Sequence, residues 1–453
     1  MPGSQPKQIR FNALEQGNPS FQSFGLWAHP RDKAVDYTSI RYWAEYAQLL
    51  ERGLFDNLFI ADVYGMPDVY EGSKDGALRN GCQSPSVDPA VLLPAMAAVT
   101  ENLCFTMTGS CTYEQPYQFA RRISTLDHLL EGRLGWNIVT SYLASGARAM
   151  GLDGLIAHDK RYDMADEFCE AVYRLWEQSW ADGSLVKDKT TRIYADPSKV
   201  EEIVFEGEFH RFRAVHAVEP SPQRTPVLFQ AGGSERGRRF AGTHAEGIYL
   251  NGTTTEIVRD KIATMTKELE AVGRSRESAK FFAGVSIFVD ETEELARARY
   301  NDYLQYTSFE GLIATMSGIM GIDLSNYPVD QPIEYEENDA NRSALEMFTR
   351  GNKWTLRQVL EEKALCGTNM ALVGSPEQIA DELIRWMDET DLDGFNVARI
   401  VAHETFENVI DMVIPILQDR GRYKTEYAPG TFREKLFGTD RIPETHLAGT
   451  FRR

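Results

Sequence analysis

The chain has 453 residues, 42% hydrophobic and 25% charged, with a formal net charge of -19. That composition supports a large globular core, while the acidic balance disfavours nucleic acid and anionic membranes as partners. The five cysteines form no C-x-x-C pair, the N-terminus has no signal-peptide core, and no apolar run spans a bilayer, so a reduced cytoplasmic protein is expected.

Short β-rich runs alternate with longer amphipathic ones. Ile9–Ala13 reads as a strand, and Tyr42–Leu54 as a helix, because Tyr42, Tyr46, Leu49, Leu50 and Leu54 share one stripe. Asn57–Ala61 is a strand ending at Asp62. Leu92–Val99 is an apolar helix, Leu103–Thr108 a strand and Ala120–Leu130 a helix. Leu134–Val139 is a strand ending at Thr140-Ser141, and Tyr162–Trp176 a helix. A polar stretch, 178–223, holds an expected hairpin at Ile203–Ala214 with its turn at Glu206-Gly207-Glu208.

Alternation then resumes. Val227–Phe229, Gly247–Leu250 and Lys280–Phe288 read as strands, trailed by helices Glu235–Ala241, Thr255–Val272 and Thr292–Tyr306. Thr292 is the expected N-cap of the last of these. The stretch 309–363 breaks the rhythm and reads as an insertion. Ser375-Pro376-Glu377 opens a well-capped helix through Met387. Gly394–Ile400 is the last strand and Glu407–Leu417 the last helix. The tail from 423 is compatible with packing on a neighbouring subunit or with a free end.

Eight strands, each trailed by a helix, predict an α/β fold, a single (β/α)8 TIM barrel over 1–453 with two insertions. The alternative is an open doubly wound sheet. Against it, the glycine-rich turn lies past the middle of the chain rather than after the first strand.

That turn, Gln230-Ala231-Gly232-Gly233-Ser234-Glu235-Arg236-Gly237, passes from an apolar run into a helix start. Glycines let backbone N–H groups approach an anion, and the helix dipole favours its charge. Ser234 adds a hydroxyl and Arg236 a counter-charge. The spacing matches neither the P-loop nor G-x-G-x-x-G, so a phosphomonoester such as that of FMN fits better than a nucleoside triphosphate. A plain βα turn with an N-cap serine is the equal alternative.

Chemistry in a barrel sits at strand C-termini. Asp62, Thr108, Asn137, Ser141 and Asn251 fall there. Each also suits an ordinary turn. His158 and Tyr162 share one face if their turn is helical. Trp27 and His29 lie in the loop after the first strand, where His29 is a proton donor or a surface residue. No metal-ligand spacing and no G-x-S-x-G elbow occur. Carboxylate pairs carry no spacing information, so a barrel hydrolase stays open.

Several blocks in order carry a resemblance. They are Leu50–Asp56, Phe59–Asp62, Ala97–Glu101, Gly132–Ser141, His158–Tyr162, Gln230–Gly237 and Leu417–Gly421. With these the chain resembles the bacterial-luciferase-like flavin-dependent monooxygenases, in the branch of the nitrilotriacetate, EDTA, dibenzothiophene-sulfone and dimethyl-sulfide monooxygenases. The resemblance implies FMN, reduced to FMNH2 by a separate NAD(P)H:FMN reductase, with O2 as co-substrate. It places Asp62 and Thr108 near the flavin ring, with Asn137 and Ser141 on the same wall. His158 and Tyr162 fall toward the ribityl-phosphate side, and Gly233 and Ser234 at the phosphate. Trp27, His29 and Tyr64 are the implied catalytic wall, beside Phe21, Phe24 and Tyr70. The loops Leu26–Asp32 and Ala61–Gly65 look most like the small-sulfide oxidising members. A small organosulfur substrate and a homodimer or homotetramer are therefore expected. The alternatives are an aminopolycarboxylate or other C–N/C–S cleaving monooxygenase, a deazaflavin-dependent dehydrogenase and a flavin-storage protein.

Overall fold

The computed structural model describes residues 6–333, 338–340 and 354–453. Eight parallel strands close on one another: β1 (Arg10–Gln16), β2 (Asn57–Ala61), β3 (Cys104–Ser110), β4 (Leu134–Val139), β5 (Val227–Gln230), β6 (Gly247–Leu250), β7 (Lys280–Val289) and β8 (Gly394–Ala398). β8 closes the ring, with Gly394 opposite Arg10 on one side and Phe282 on the other. This is the (β/α)8 barrel, and its strands are the eight expected ones. Strands covered on both faces read as continuous apolar runs, and β3 is buried along its whole length.

The outer helices include α1 (Ile40–Arg52), α2 (Pro89–Ala97), α3 (Pro116–Leu129), α4 (His158–Tyr173), α5 (Glu235–His244), α6 (Thr255–Ala271) and α7 (Pro376–Thr390). Side-chain caps set several starts: Asp88 for α2, Ser234 for α5, Thr254 for α6 and a Ser375/Gln378 capping box for α7. Thr292 caps the helix Glu293–Leu304 as expected.

Three features depart from, or sharpen, the sequence reading. A ninth strand, Met370–Gly374, pairs with the second half of β7, from Val285↔Met370 to Val289↔Gly374. β7 is long enough to pair with β8 first and this edge strand afterwards. The expected hairpin is present as Ile203–Glu206 against Arg211–Ala214, but its turn lies one step later, where the Gly207 N–H donates to the His210 carbonyl at 2.9 Å. The tail is not free but packs on its own barrel. Its helix Phe432–Phe437 closes the N-terminal mouth of the barrel, with Phe432 stacked on Phe229 at 5.6 Å. Arg433 donates to the carbonyls of Thr225 and Pro226 and pairs with Glu246, all buried.

Within the insertion, helices Phe309–Met320 and Leu356–Lys363 are defined, whereas 334–337 and 341–353 lie outside the described residues. The barrel interior is aromatic, with Tyr249 stacked on Phe59 at 4.7 Å and on Phe229 at 5.4 Å. All five cysteines are buried free thiols.

Candidate functional site

Beyond the C-terminal ends of β5 and β6 lies a cavity of about 750 Å³. Tyr249, Leu250 and Asn251 form its strand-end side, and Ala231, Gly232 and Gly233 one edge. Phe21 and Phe24 come from the loop after β1, and Leu312, Met316 and Met320 from Phe309–Met320. The insertion thus supplies an apolar wall. Its size lies within the range of small-molecule sites.

The glycine turn is built for close approach. The Gly232 N–H donates to Gln230 Oε1 at 2.7 Å. A Cβ built at Gly232 or Gly237 would stand 2.7 Å from the Tyr162 hydroxyl. Ser234 caps α5 by accepting from the Gly237 N–H at 3.1 Å, and its Oγ lies 3.5 Å from His158 Nε2. The His158 and Tyr162 rings meet edge-on at 5.3 Å. Gly233, Ser234, His158 and Tyr162 are therefore brought together at a helix N-terminus, where an anion is favoured.

Arg236 is not the counter-charge there. It pairs with Asp163 and Asp166 and lies over the Tyr162 ring at 5.5 Å. Positions two apart on a helix point to different faces, so Arg238 lines the cavity instead. Arg238 Nη1 donates to the Gly233 carbonyl at 2.7 Å, its buried Nε has no partner, and no carboxylate pairs with it among the described residues.

The other predicted cofactor residues form a second group on neighbouring strands. Asn137 Nδ2 donates to Thr108 Oγ1 at 3.1 Å, and Ser141 Oγ lies 2.8 Å from Ser110 Oγ. Ser141 is left-handed, φ 57°, the kind of strained position that clusters at functional sites. Burial pushes the Asp62 carboxyl up to about 7, the nearby Asp88 and Glu114 add to this, and the Val63 N–H opposes it. Asn137 Oδ1, the Tyr113 hydroxyl and both amide atoms of Gln16 are buried without a protein partner. Native proteins seldom leave such groups unmet.

The three predicted catalytic residues are dispersed, and none lines the cavity. His29 is buried, its Nε2 3.0 Å from Asp302 Oδ2, and its Nδ1 accepts from the Arg31 N–H at 3.3 Å. Its ring also packs on Tyr303 and Tyr306. Trp27 is 38% exposed and donates to the Asn80 carbonyl. Tyr64 donates to Glu114 Oε1 at 2.9 Å and meets Tyr113 edge-on. Sequence reasoning missed Arg238, Lys261 and Lys363, which line the cavity from three elements. No local motif marks them. No group of three His, Cys, Asp or Glu side chains suited to a metal occurs among the described residues.

The family model described as Luciferase-like monooxygenase matches residues 20–392. The chain is 45% identical over 451 residues to the dimethyl-sulfide monooxygenase of Hyphomicrobium sulfonivorans, covering 98% of this chain and 94% of that protein. It is 43% identical over 451 residues to the long-chain alkane monooxygenase of Geobacillus thermodenitrificans, covering 98% of each. A crystal structure of a riboflavin lyase with modified FMN and riboflavin superposes with a TM-score of 0.94 at 36% identity, covering 99% of this chain and 100% of that one.

Proposed function

The chain belongs to the luciferase-like monooxygenase family, and from that premise we propose that it is the oxygenase of a two-component system. It takes FMNH2 from a separate NAD(P)H:FMN reductase, uses O2, and oxygenates a small organosulfur compound such as a sulfide. The observation that carries this reading is the anion cradle of Gly232, Gly233 and Ser234 opening onto a cavity with an apolar wall. The cradle fits a cofactor phosphate, with Tyr162, His158 and Arg238 around it. The Asp62, Thr108, Asn137 and Ser141 strand ends, with their orphaned amide neighbours, suit the ring.

Bound FMNH2 would supply the electron pair by which O2 gives one atom to substrate and one to water. The chain's own residues bind, orient and exclude water. Phe21, Phe24, Leu312 and Met316 present apolar surface to the cavity, and a dry site limits unproductive loss of oxidising equivalents. Asp62 holds a proton near neutral pH at the end of β2. The dimethyl-sulfide relative favours a sulfide, and the alkane relative favours the same apolar surface with a longer chain.

The test is an anaerobic FMNH2 titration followed by O2 uptake with small sulfides. Tight FMNH2 binding and sulfide-dependent oxygenated product are expected. Ser234→Ala is expected to weaken FMNH2 binding by about 1–3 kcal/mol, the range for hydrogen bonds to charged groups. Failure of the folded protein to bind FMNH2 overturns the reading. FMNH2 binding without O2-dependent product would point instead to hydride chemistry on the same fold.

A further inference from the structure

We propose that Lys363 binds an anionic group on the substrate, so that the cavity takes a thioether or similar apolar molecule ending in a carboxylate, sulfinate or sulfonate. The inference rests on the oxygenase reading above and narrows its substrate class.

Lys363 ends the helix Leu356–Lys363 and is only 7% exposed, yet it lines the cavity. Among the described residues no carboxylate pairs with it, and the neighbour of its ammonium is the Trp354 ring, 5.7 Å to the centroid. Removing an ammonium from water costs several kcal/mol unless an anion or several acceptors compensate it. A methionine would fill the same space without that cost. The charge is therefore poorly explained by packing and well explained by a ligand.

The surrounding charge agrees. Lys261 also lines the cavity, and its Nζ donates to the Asn251 carbonyl at 2.6 Å. With Arg238 the cavity lining carries three cations against one carboxylate, Asp260, among the described residues; Asp260 and Lys261 are both exposed. Arg238 belongs to the glycine turn, where it donates to Gly233. Lys363 belongs to another element, the helix Leu356–Lys363. Its carbonyl accepts from the Gly367 N–H at 2.9 Å, and a Cβ at Gly367 would meet Gln22 Oε1. The Ser23 hydroxyl donates to the Leu365 carbonyl at 2.8 Å, which ties the segment after Lys363 to the loop that carries Phe21 and Phe24. Leu312, Met316 and Met320 then offer apolar surface for the remainder of the molecule. One cavity thus presents a glycine turn with Arg238, an apolar wall and, from another element, the Lys363 ammonium.

The experiment measures binding of 6-(methylthio)hexanoate and of its uncharged methyl ester by calorimetry, to the full chain saturated with FMN. The wild type is expected to favour the acid. Lys363→Met should weaken the acid at least about 10-fold, the effect of losing a charge-assisted hydrogen bond. The ester and FMN affinities should change less than about 2-fold, and Lys363→Arg should retain most acid binding. A wild type without preference for the acid overturns the proposal, and that comparison needs no variant. So do equal losses for acid and ester. A loss confined to FMN would assign Lys363 to the cofactor phosphate and overturn it as well. In each of these cases FMNH2 binding and sulfide-dependent O2 uptake stand as the separate check on the oxygenase reading.

Discussion

Asp62 shows how burial at a strand end makes one carboxyl a pH-dependent term in stability. Its carboxyl is held up to about 7, chiefly by burial, so the folded chain keeps a proton that the unfolded chain has released between about pH 4 and pH 7. Stability contributed at this site therefore falls as pH rises through that window. Asp62→Asn removes the titration. The variant is expected to gain on the wild type from pH 5 to pH 8, by at most about 2.5 kcal/mol, since about two pKa units of the shift accrue in that range at 1.36 kcal/mol per unit. Urea midpoints across that range check it, and parallel pH profiles for the two proteins would refute it. The position of Asp62 was legible because a strand end in a repeated βα pattern is a local signal. Its protonation was not legible, because burial and the approach of Asp88 and Glu114 arise only in the folded chain. His29 shows the opposite outcome. A histidine beside Trp27 reads as an active-site mouth, but Asp302 and the Arg31 N–H occupy its two nitrogens.

At the scale of elements, the helix Phe432–Phe437 is the most consequential piece outside the repeat. Thr431 and Glu434 form a capping box, so the T-x-x-E spacing announced a helix that the polar tail concealed. Phe432 and Leu436, one turn apart, are buried with Cys104, Phe229 and Phe282. Phe432→Ala leaves a cavity in this floor and is expected to cost about 3–5 kcal/mol. Chemical denaturation measures the loss, and a change below about 1 kcal/mol would show that the mouth does not need its plug. The edge strand Met370–Gly374 was missed for another reason. Five residues with alternating burial carry little periodicity, and only the length of β7 gives them a partner.

For the whole molecule, links between distant segments argue for one cooperative unit. Arg399, the residue directly after β8, pairs with Glu15 of β1 at 2.8 Å, with both side chains buried. The Ile9 N–H donates to the Arg422 carbonyl at 2.7 Å, and Arg422 pairs with Asp388. The insertion helix Phe309–Met320 packs with Phe24, Ala77 and Cys82 from loops of the first half of the barrel. A single calorimetric transition is expected, and two separated transitions would show the insertion unfolding on its own.

The sequence by itself determined the eight strands, their order, the helix caps and the glycine turn that passes from β5 into a helix start. Each depends on short-range chemistry: a run of apolar residues, a capping hydroxyl, glycines before a helix. Only the tertiary structure decided which groups meet. It turned Arg236 toward two aspartates and Arg238 toward the cavity. It drew Lys261 and Lys363 to one cavity and folded the tail across the barrel mouth. Those outcomes depend on helix phase and on contacts between segments remote in the chain, which no local pattern records.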